Sequence, residues 1–237
     1  FADEAALGSM EESRAIGTDW IRALGALPNE YLFYYYCHRE AMARIHQDHT
    51  RGEYLRDQQE AFYNAVLSDP KQAGRTWIDA LADREATYMA EARDVDERSG
   101  RRAEDIAGGG YQKVALDLMN ALATNTPARM ILNVGNGDGG FSSIPTLRDT
   151  DVVEVPCDVD ASGVHPIPVA PLSGAALGLV QSVKACENLV IDAARERDRT
   201  LAWQALALHP LVDSVNVARE VLDQAIRTNP LVAAAFD

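Results

Sequence analysis

Residues 131–157 read ILNVGNGDGGFSSIPTLRDTDVVEVPC, and the fold class turns on the residues C-terminal to their glycines. Gly135, Gly137 and Gly140 have the G-x-G-x-x-G spacing of a dinucleotide-binding loop, but that spacing carries weight only between a strand and a helix. In such a loop the third glycine opens a helix whose N-terminus faces the pyrophosphate. Here Gly140 leads into FSSIPTLRDTD, where Pro145 disfavours a helical conformation at Ile144, and an apolar strand pattern resumes at Val152. No crossover helix fits in that interval. Glu154 stands at the distance of a ribose-binding acid but falls inside the second strand pattern. The stretch predicts a glycine-rich connection between the strands RMILNV and DVVEVPC, with VHPIPV as a candidate third. Their β-branched residues and short turns predict antiparallel pairing.

Outward from this centre the chain reads as helix. Ile16, Trp20 and Leu24 recur at helical spacing from Glu11 onward, until Gly25 and Pro28 mark a break. Residues 75 to 93 place Trp77, Ile78, Leu81, Tyr88 and Met89 on one stripe, with Asp79, Asp83 and Arg84 outward; this predicts a surface helix whose aromatics face a core. Charges crowd without period between Arg93 and Glu104, which predicts a mobile connection. After GGGY at 108 to 111, Val114, Leu118 and Leu122 keep the 3.6 period until Pro127. The last third repeats that period through Leu177, Val180, Val183, Val190 and Ile191, then Trp203 and Leu206, then Val217, Val221 and Ile226. The fold class is α+β, helix-rich with a small, mainly antiparallel sheet.

With 237 residues, 47% of them hydrophobic, the chain can bury a core as one large domain or two small ones. A formal charge of −14 argues against nucleic-acid binding, which wants a concentrated basic face. No apolar run approaches the roughly 20 residues that cross a bilayer, and FADEAALGSMEESRAIG lacks the pattern of a signal peptide. Cys37, Cys157 and Cys186 are an odd number without C-x-x-C pairing, which suits reduced thiols in the cytoplasm.

The densest chemistry lies at residues 27 to 51, LPNEYLFYYYCHREAMARIHQDHTR. His46 and His49 are three apart and His38 precedes them, so a metal site is conceivable, but no glutamate completes an H-E-x-x-H motif and solvated histidines are the favoured reading. The tyrosines could form a core-facing cluster, yet YLFYYY puts rings on every side of a helical turn, more than one buried face can use.

LPNEYLFYYY followed by HTR resembles glycoside hydrolase family 4, the NAD- and manganese-dependent 6-phosphoglycosidases, in which a P-x-x-Y-L-x-Y-Y pattern precedes a substrate-binding arginine. VVEVPC at 152 to 157, P-I-P-V at 166 to 169 and LGLVQSVKACENLVIDAA match the C-terminal half of that family in order and spacing. The resemblance covers nearly the whole chain from Trp20, and the Y-L-x-Y-Y-Y form is more similar to the 6-phospho-β-glucosidases than to the α-acting members. It implies the C-terminal domain shared by lactate dehydrogenases and family 4 glycosidases. Residues 1–237 would form the substrate-side and oligomerisation domain, the N-terminal dinucleotide-binding domain being absent from this chain. The loop GNGDGG departs from the N-x-G-x-I turn of the family.

The activity implied is hydrolysis of 6-phosphoglycosides, and it departs from the scheme of two catalytic carboxylates. NAD takes hydride from carbon 3, the ketone acidifies the carbon 2 hydrogen, a base removes it, the metal stabilises the enediolate, and elimination, water addition and hydride return complete the cycle. Carried over by position, Tyr31 in LPNEY matches the base and Arg51 in HTR the phosphate-binding arginine, whose planar fork can give a phosphate two hydrogen bonds. Without that role Tyr31 would be a packed aromatic and Arg51 a surface partner of Asp48 or Glu53. Tyr34, Tyr35, Tyr36 and Cys37 are read as structural, and His49 as a neighbour of the sugar without an assigned role. NAD and Mn2+ would bind mostly outside this chain. The implied partners are a phosphorylated glycoside and further copies of the chain in a dimer or tetramer. The alternative is a non-catalytic helical interaction or regulatory domain derived from the same family.

Overall fold

The computed structural model describes residues 3–46, 50–92, 110–172 and 174–236, and it divides into two compact units, Phe1–Gly108 and Gly109–Asp237. The Arg93–Glu104 connection and His49 lie outside the described residues.

The first unit opens with short helices. Asp3 caps α1, Glu4–Ser9, by accepting from the Ala6 N–H at 3.0 Å. A continuous helix through Ile16, Trp20 and Leu24 was the expectation, but α2, Glu11–Ile16, and α3, Thr18–Leu24, are separate. Gly17 divides them with φ of 97°, a backbone that a residue bearing a Cβ enters only with strain. Trp20 is consequently turned outward, meeting Tyr36 edge-on at 5.5 Å. A single 3-10 turn, Glu30–Leu32, leads into α4, Phe33–Tyr36, and α5, His38–Ile45. Ile16, Phe33, Ala41, Met89 and Ala92 form the core, with Tyr34, Tyr36 and Tyr88 packed against it. The tyrosine-rich turn thus divides its rings between core and surface.

α6, Arg51–Ser68, begins with a capping box, in which the Thr50 hydroxyl accepts from the Glu53 N–H while the Glu53 carboxylate accepts from the Thr50 N–H. It packs against α7, Ala73–Ala86. The expected helix over 75 to 93 ends seven residues early, and its stripe does not face the core. Trp77 is 56% exposed and Ile78 65%, with Leu81 and Phe62's neighbour Tyr63 also open to solvent. Helical spacing gathers apolar residues on one face but does not say what covers that face. Of the stripe, Met89 alone is fully buried, and it lies beyond the helix with φ of 48°.

In the second unit α8, Gly110–Thr124, packs its buried Ala121 towards a sheet of three antiparallel strands in the order β1 Ala128–Gly135, β2 Val152–Asp160, β3 Gly163–Pro166. Met130 pairs with Cys157, Leu132 with Val155 and Val134 with Val153. Period two therefore sends Val153, Val155, Cys157 and Val159 to one buried face. The helix-rich α+β class and the antiparallel pairing are both as expected. The chain continues through α9 Gly174–Glu196, α10 Arg199–Leu208, α11 Val215–Thr228 and α12 Pro230–Ala235. Ala193, Ala202 and Leu222 are the buried centre of these helices. Trp203 fastens α10 to α11, its indole N–H donating to the Val215 carbonyl at 2.9 Å under the Arg219 guanidinium.

Candidate functional site

Tyr31 is held at its backbone before its ring is placed. Asn29 caps the 3-10 turn, its side-chain oxygen accepting from the Tyr31 N–H at 2.9 Å. The next residue but one, Phe33, is 2% exposed and anchors the turn in the core, so Tyr31 projects outward and is 48% exposed. Its hydroxyl meets the hydroxyl of Tyr88 at 2.5 Å. A packed aromatic is thus the poorer description of this residue.

Arg51 opens α6 directly after the capping box. Its guanidinium donates to the Thr87 hydroxyl at 2.5 Å and to the Arg84 carbonyl at 3.0 Å, and it lies 5.5 Å from the centre of the Tyr54 ring. Glu53, one of the two acids considered as its surface partner, uses its carboxylate on the Thr50 backbone and hydroxyl instead, at 2.9 Å each; Asp48 lies outside the described residues. A guanidinium has five N–H groups, and two are accounted for by Thr87 and Arg84. Beneath it, Tyr54 and Gln58 both donate to Asp83. Burial, together with the weaker effect of the hydrogen bond to Asp83, raises the Tyr54 phenol above its ordinary value.

Thr87 and Tyr88 are consecutive, so the two residues singled out by resemblance meet the same short segment just beyond α7. Neither partner is marked out by the sequence in this capacity. Tyr88 is 57 positions from Tyr31 and Thr87 is 36 from Arg51, and periodicity carries no signal for contacts of that span.

The glycine loop is a closed structure of its own. Asn136 is 1% exposed, its side-chain oxygen accepting from the Ile144 N–H at 2.8 Å. Its amide nitrogen donates towards Ser142 Oγ at 2.8 Å and the carbonyls of Ile144, Arg148 and Leu147 at 3.1, 3.2 and 3.4 Å. Asp151, also buried, accepts from the Arg148 N–H at 3.0 Å and from the Asn188 amide of α9 at 2.9 Å. A Cβ added at Gly135 would stand 2.6 Å from an Asp138 carboxylate oxygen. The segment after Gly140 returns to an antiparallel strand and does not open a helix. A pyrophosphate cradle does not fit this geometry.

Among the described residues no three His, Cys, Asp or Glu side chains converge on a metal-sized space. His38 opens α5 and His46 caps its other end, while the third member of the conceivable triad lies outside the described residues. Cys37, Cys157 and Cys186 are free, and burial pushes all three thiols above their ordinary value. No described helix is long and apolar enough to cross a membrane.

Residues 2–212 match the family 4 glycosyl hydrolase C-terminal domain, and the chain belongs to that family. It is similar to the maltose-6'-phosphate glucosidase MalH of Clostridium acetobutylicum, at 27% identity over 86% of this chain and 40% of that protein. A probable 6-phospho-beta-glucosidase of Bacillus subtilis is 25% identical over 92% of this chain and 44% of that protein. In fold it is similar to the 6-phospho-beta glucosidase of Thermotoga maritima solved with manganese, NAD+ and glucose-6-phosphate. That match has a TM-score of 0.68 at 23% identity and covers 97% of this chain and 48% of the other. The chain spans less than half the length of these proteins.

Proposed function

We propose that this chain forms the substrate side of an enzyme hydrolysing 6-phosphoglycosides, with Tyr31 as the general base and Arg51 as the phosphate anchor. The observation carrying this reading is that both side chains bond to the adjacent residues Thr87 and Tyr88, so a carbon 2 proton and a 6-phosphate of one sugar can be met from one locality. Tyr31 is exposed enough to reach a substrate and has an oxygen to receive the proton. Arg51 keeps N–H groups beyond the two that position it.

The enzyme as a whole is proposed to use NAD and Mn2+, as in the Thermotoga maritima structure. Their sites are proposed to lie mostly in a dinucleotide-binding domain outside this chain; the glycine loop, crowded by Asp138 at Gly135 and leading into an antiparallel strand, lacks the helix N-terminus that a pyrophosphate needs. When bound, the nicotinamide supplies the oxidation at carbon 3 that makes the neighbouring hydrogen acidic. Residues 1–237 would then be the substrate-side and oligomerisation portion of a cytoplasmic dimer or tetramer. The three free thiols and the open apolar face of Trp77 and Ile78 support that setting. The β-glucoside preference rests on the YLFYYY form; the match to a maltose-6'-phosphate glucosidase over most of the chain supports the α anomer as the second reading.

The test uses the complete enzyme and p-nitrophenyl α- and β-glucoside 6-phosphates, the faster of which assigns the anomer. Tyr31→Phe keeps the ring and should slow turnover by about 10²- to 10⁴-fold, with carbon 2 exchange in deuterated water lost in proportion. Arg51→Ala should lower kcat/KM about ten-fold or more, and Arg51→Lys should recover part of it. Unchanged kinetics in both the alanine and phenylalanine variants would refute the two assignments, and a complete protein that hydrolyses neither substrate would favour a non-catalytic helical domain derived from the family.

A further inference from the structure

We propose that Thr87 and Tyr88 are positioning residues with divided tasks, Tyr88 acting through Tyr31 on proton abstraction and Thr87 acting through Arg51 on phosphate binding; this rests on the roles proposed above for Tyr31 and Arg51. The geometry is specific on both sides. Thr87 Oγ accepts from the Arg51 guanidinium while donating its own proton to the Asp83 carbonyl at 2.9 Å, so its lone pair is aimed at Arg51 by the end of α7. The Arg84 carbonyl takes the second guanidinium nitrogen. With two N–H groups tied down behind it, the rest of the fork has a fixed orientation before any phosphate arrives, which removes part of the ordering cost of binding.

Tyr88 faces the other partner. While Tyr31 is neutral, either hydroxyl of the pair can donate. Once Tyr31 has lost its proton, its oxygen can only accept, and the Tyr88 O–H becomes a charge-assisted donor to it. The bond therefore fixes where the oxygen that takes the proton from carbon points.

The backbone supports the same reading. Met89 follows directly with φ of 48°, in the left-handed region that an unbranched residue enters at a cost, and its side chain is 7% exposed within the core of the first unit. That reversal lets Met89 turn into the core while Tyr88, its neighbour, reaches the half-exposed Tyr31. Strain kept at the junction of two side-chain contacts is where a placement requirement would put it.

The experiment compares Tyr88→Phe, Thr87→Val and Thr87→Ser in the complete enzyme, with substrate carrying hydrogen or deuterium at carbon 2. Tyr88→Phe should lower kcat by about ten- to one-hundred-fold, the scale of one charge-assisted hydrogen bond, leave KM within about two-fold, and enlarge the carbon 2 isotope effect as that step becomes more limiting. In a Tyr31→Phe background the same change should add nothing. Thr87→Val should raise KM by about ten-fold with kcat within about two-fold, and Thr87→Ser, which keeps the hydroxyl, should restore it. Equal losses in kcat and KM from both variants, or a Tyr88→Phe enzyme with wild-type kcat and isotope effect, would overturn the division. The two levels separate cleanly. If Tyr31→Phe is inactive and Tyr88→Phe is silent, only this inference falls; if Tyr31→Phe itself turns over normally, the base assignment falls and the Tyr88 task falls with it.

Discussion

Replacing Asn136 by alanine should unfold the second unit at markedly lower denaturant. The side chain accepts one hydrogen bond and offers two N–H groups shared among four acceptors, all within a buried loop. Three lost bonds at about 1 kcal/mol each, plus about 1 to 2 kcal/mol for leaving the Ile144 N–H and its neighbouring carbonyls without partners, give a loss of about 4 kcal/mol. A urea slope of about 2 kcal/mol per molar converts this to a midpoint lower by about 2 M. Trp203 is the only tryptophan of the second unit, so its fluorescence in a Trp20→Phe, Trp77→Phe background reports this transition alone. Asn136→Asp sharpens the test. Its carboxylate would face the carbonyls of Ile144, Leu147 and Arg148, so the buried charged form is disfavoured and the folded state holds the proton more tightly than the unfolded chain. Stability should then be closest to wild type below the ordinary aspartate range and fall as pH rises through the raised folded value. An alanine variant whose midpoint moves by less than about 0.5 M, or an aspartate variant insensitive to pH, would refute the account of this loop.

Thiol labelling of the native chain should reach Cys37 first, because it is half-buried whereas Cys157 and Cys186 are buried and all three thiols are raised; time-resolved mass spectrometry of the alkylated peptides checks the order, which would be wrong if Cys157 reacted early. Thr50→Ala removes the reciprocal cap of α6 and should cost the first unit about 1 kcal/mol, with Thr50→Ser nearly neutral in thermal unfolding followed by circular dichroism. Because Arg51 is the next residue, the alanine variant of the complete protein should also show a raised KM if Arg51 anchors the phosphate as proposed.

The sheet is legible in the sequence because each strand carries its own pattern. Val153, Val155, Cys157 and Val159 alternate with outward residues, and Pro145 together with the strand pattern resuming at Val152 leaves no room for a crossover helix. The Trp77, Ile78 and Leu81 stripe is legible as a face but not as a surface, since an apolar helix side reads the same whether a core or solvent lies against it. Gly17 and Met89 show a second limit. One glycine inside a periodic run is normally tolerated, and a left-handed methionine has no sequence signature, so neither the break between α2 and α3 nor the early end of α7 is visible in the periodicity. Tyr31 and Arg51 come from resemblance, not from pattern. Thr87 and Tyr88 as their partners come from neither, because side-chain contacts across dozens of residues leave no trace in local spacing.

Asn136, Asp151 and Asn188 tie sixteen residues rich in glycine, serine and aspartate to two strands and a long helix. Composition of that kind usually marks the part of a protein that breathes most freely. Here the amides of Asn136, Gly137, Ser143, Ile144, Arg148 and Asp151 all donate to groups within the loop or at its root. All but the Gly137 bond involve Asn136 or Asp151 themselves, so releasing them means dismantling the contacts these two residues share. Hydrogen exchange across the loop should therefore follow the cooperative opening of the second unit, not local fluctuation. A segment whose composition suggests mobility should thus open only together with the core of the second unit.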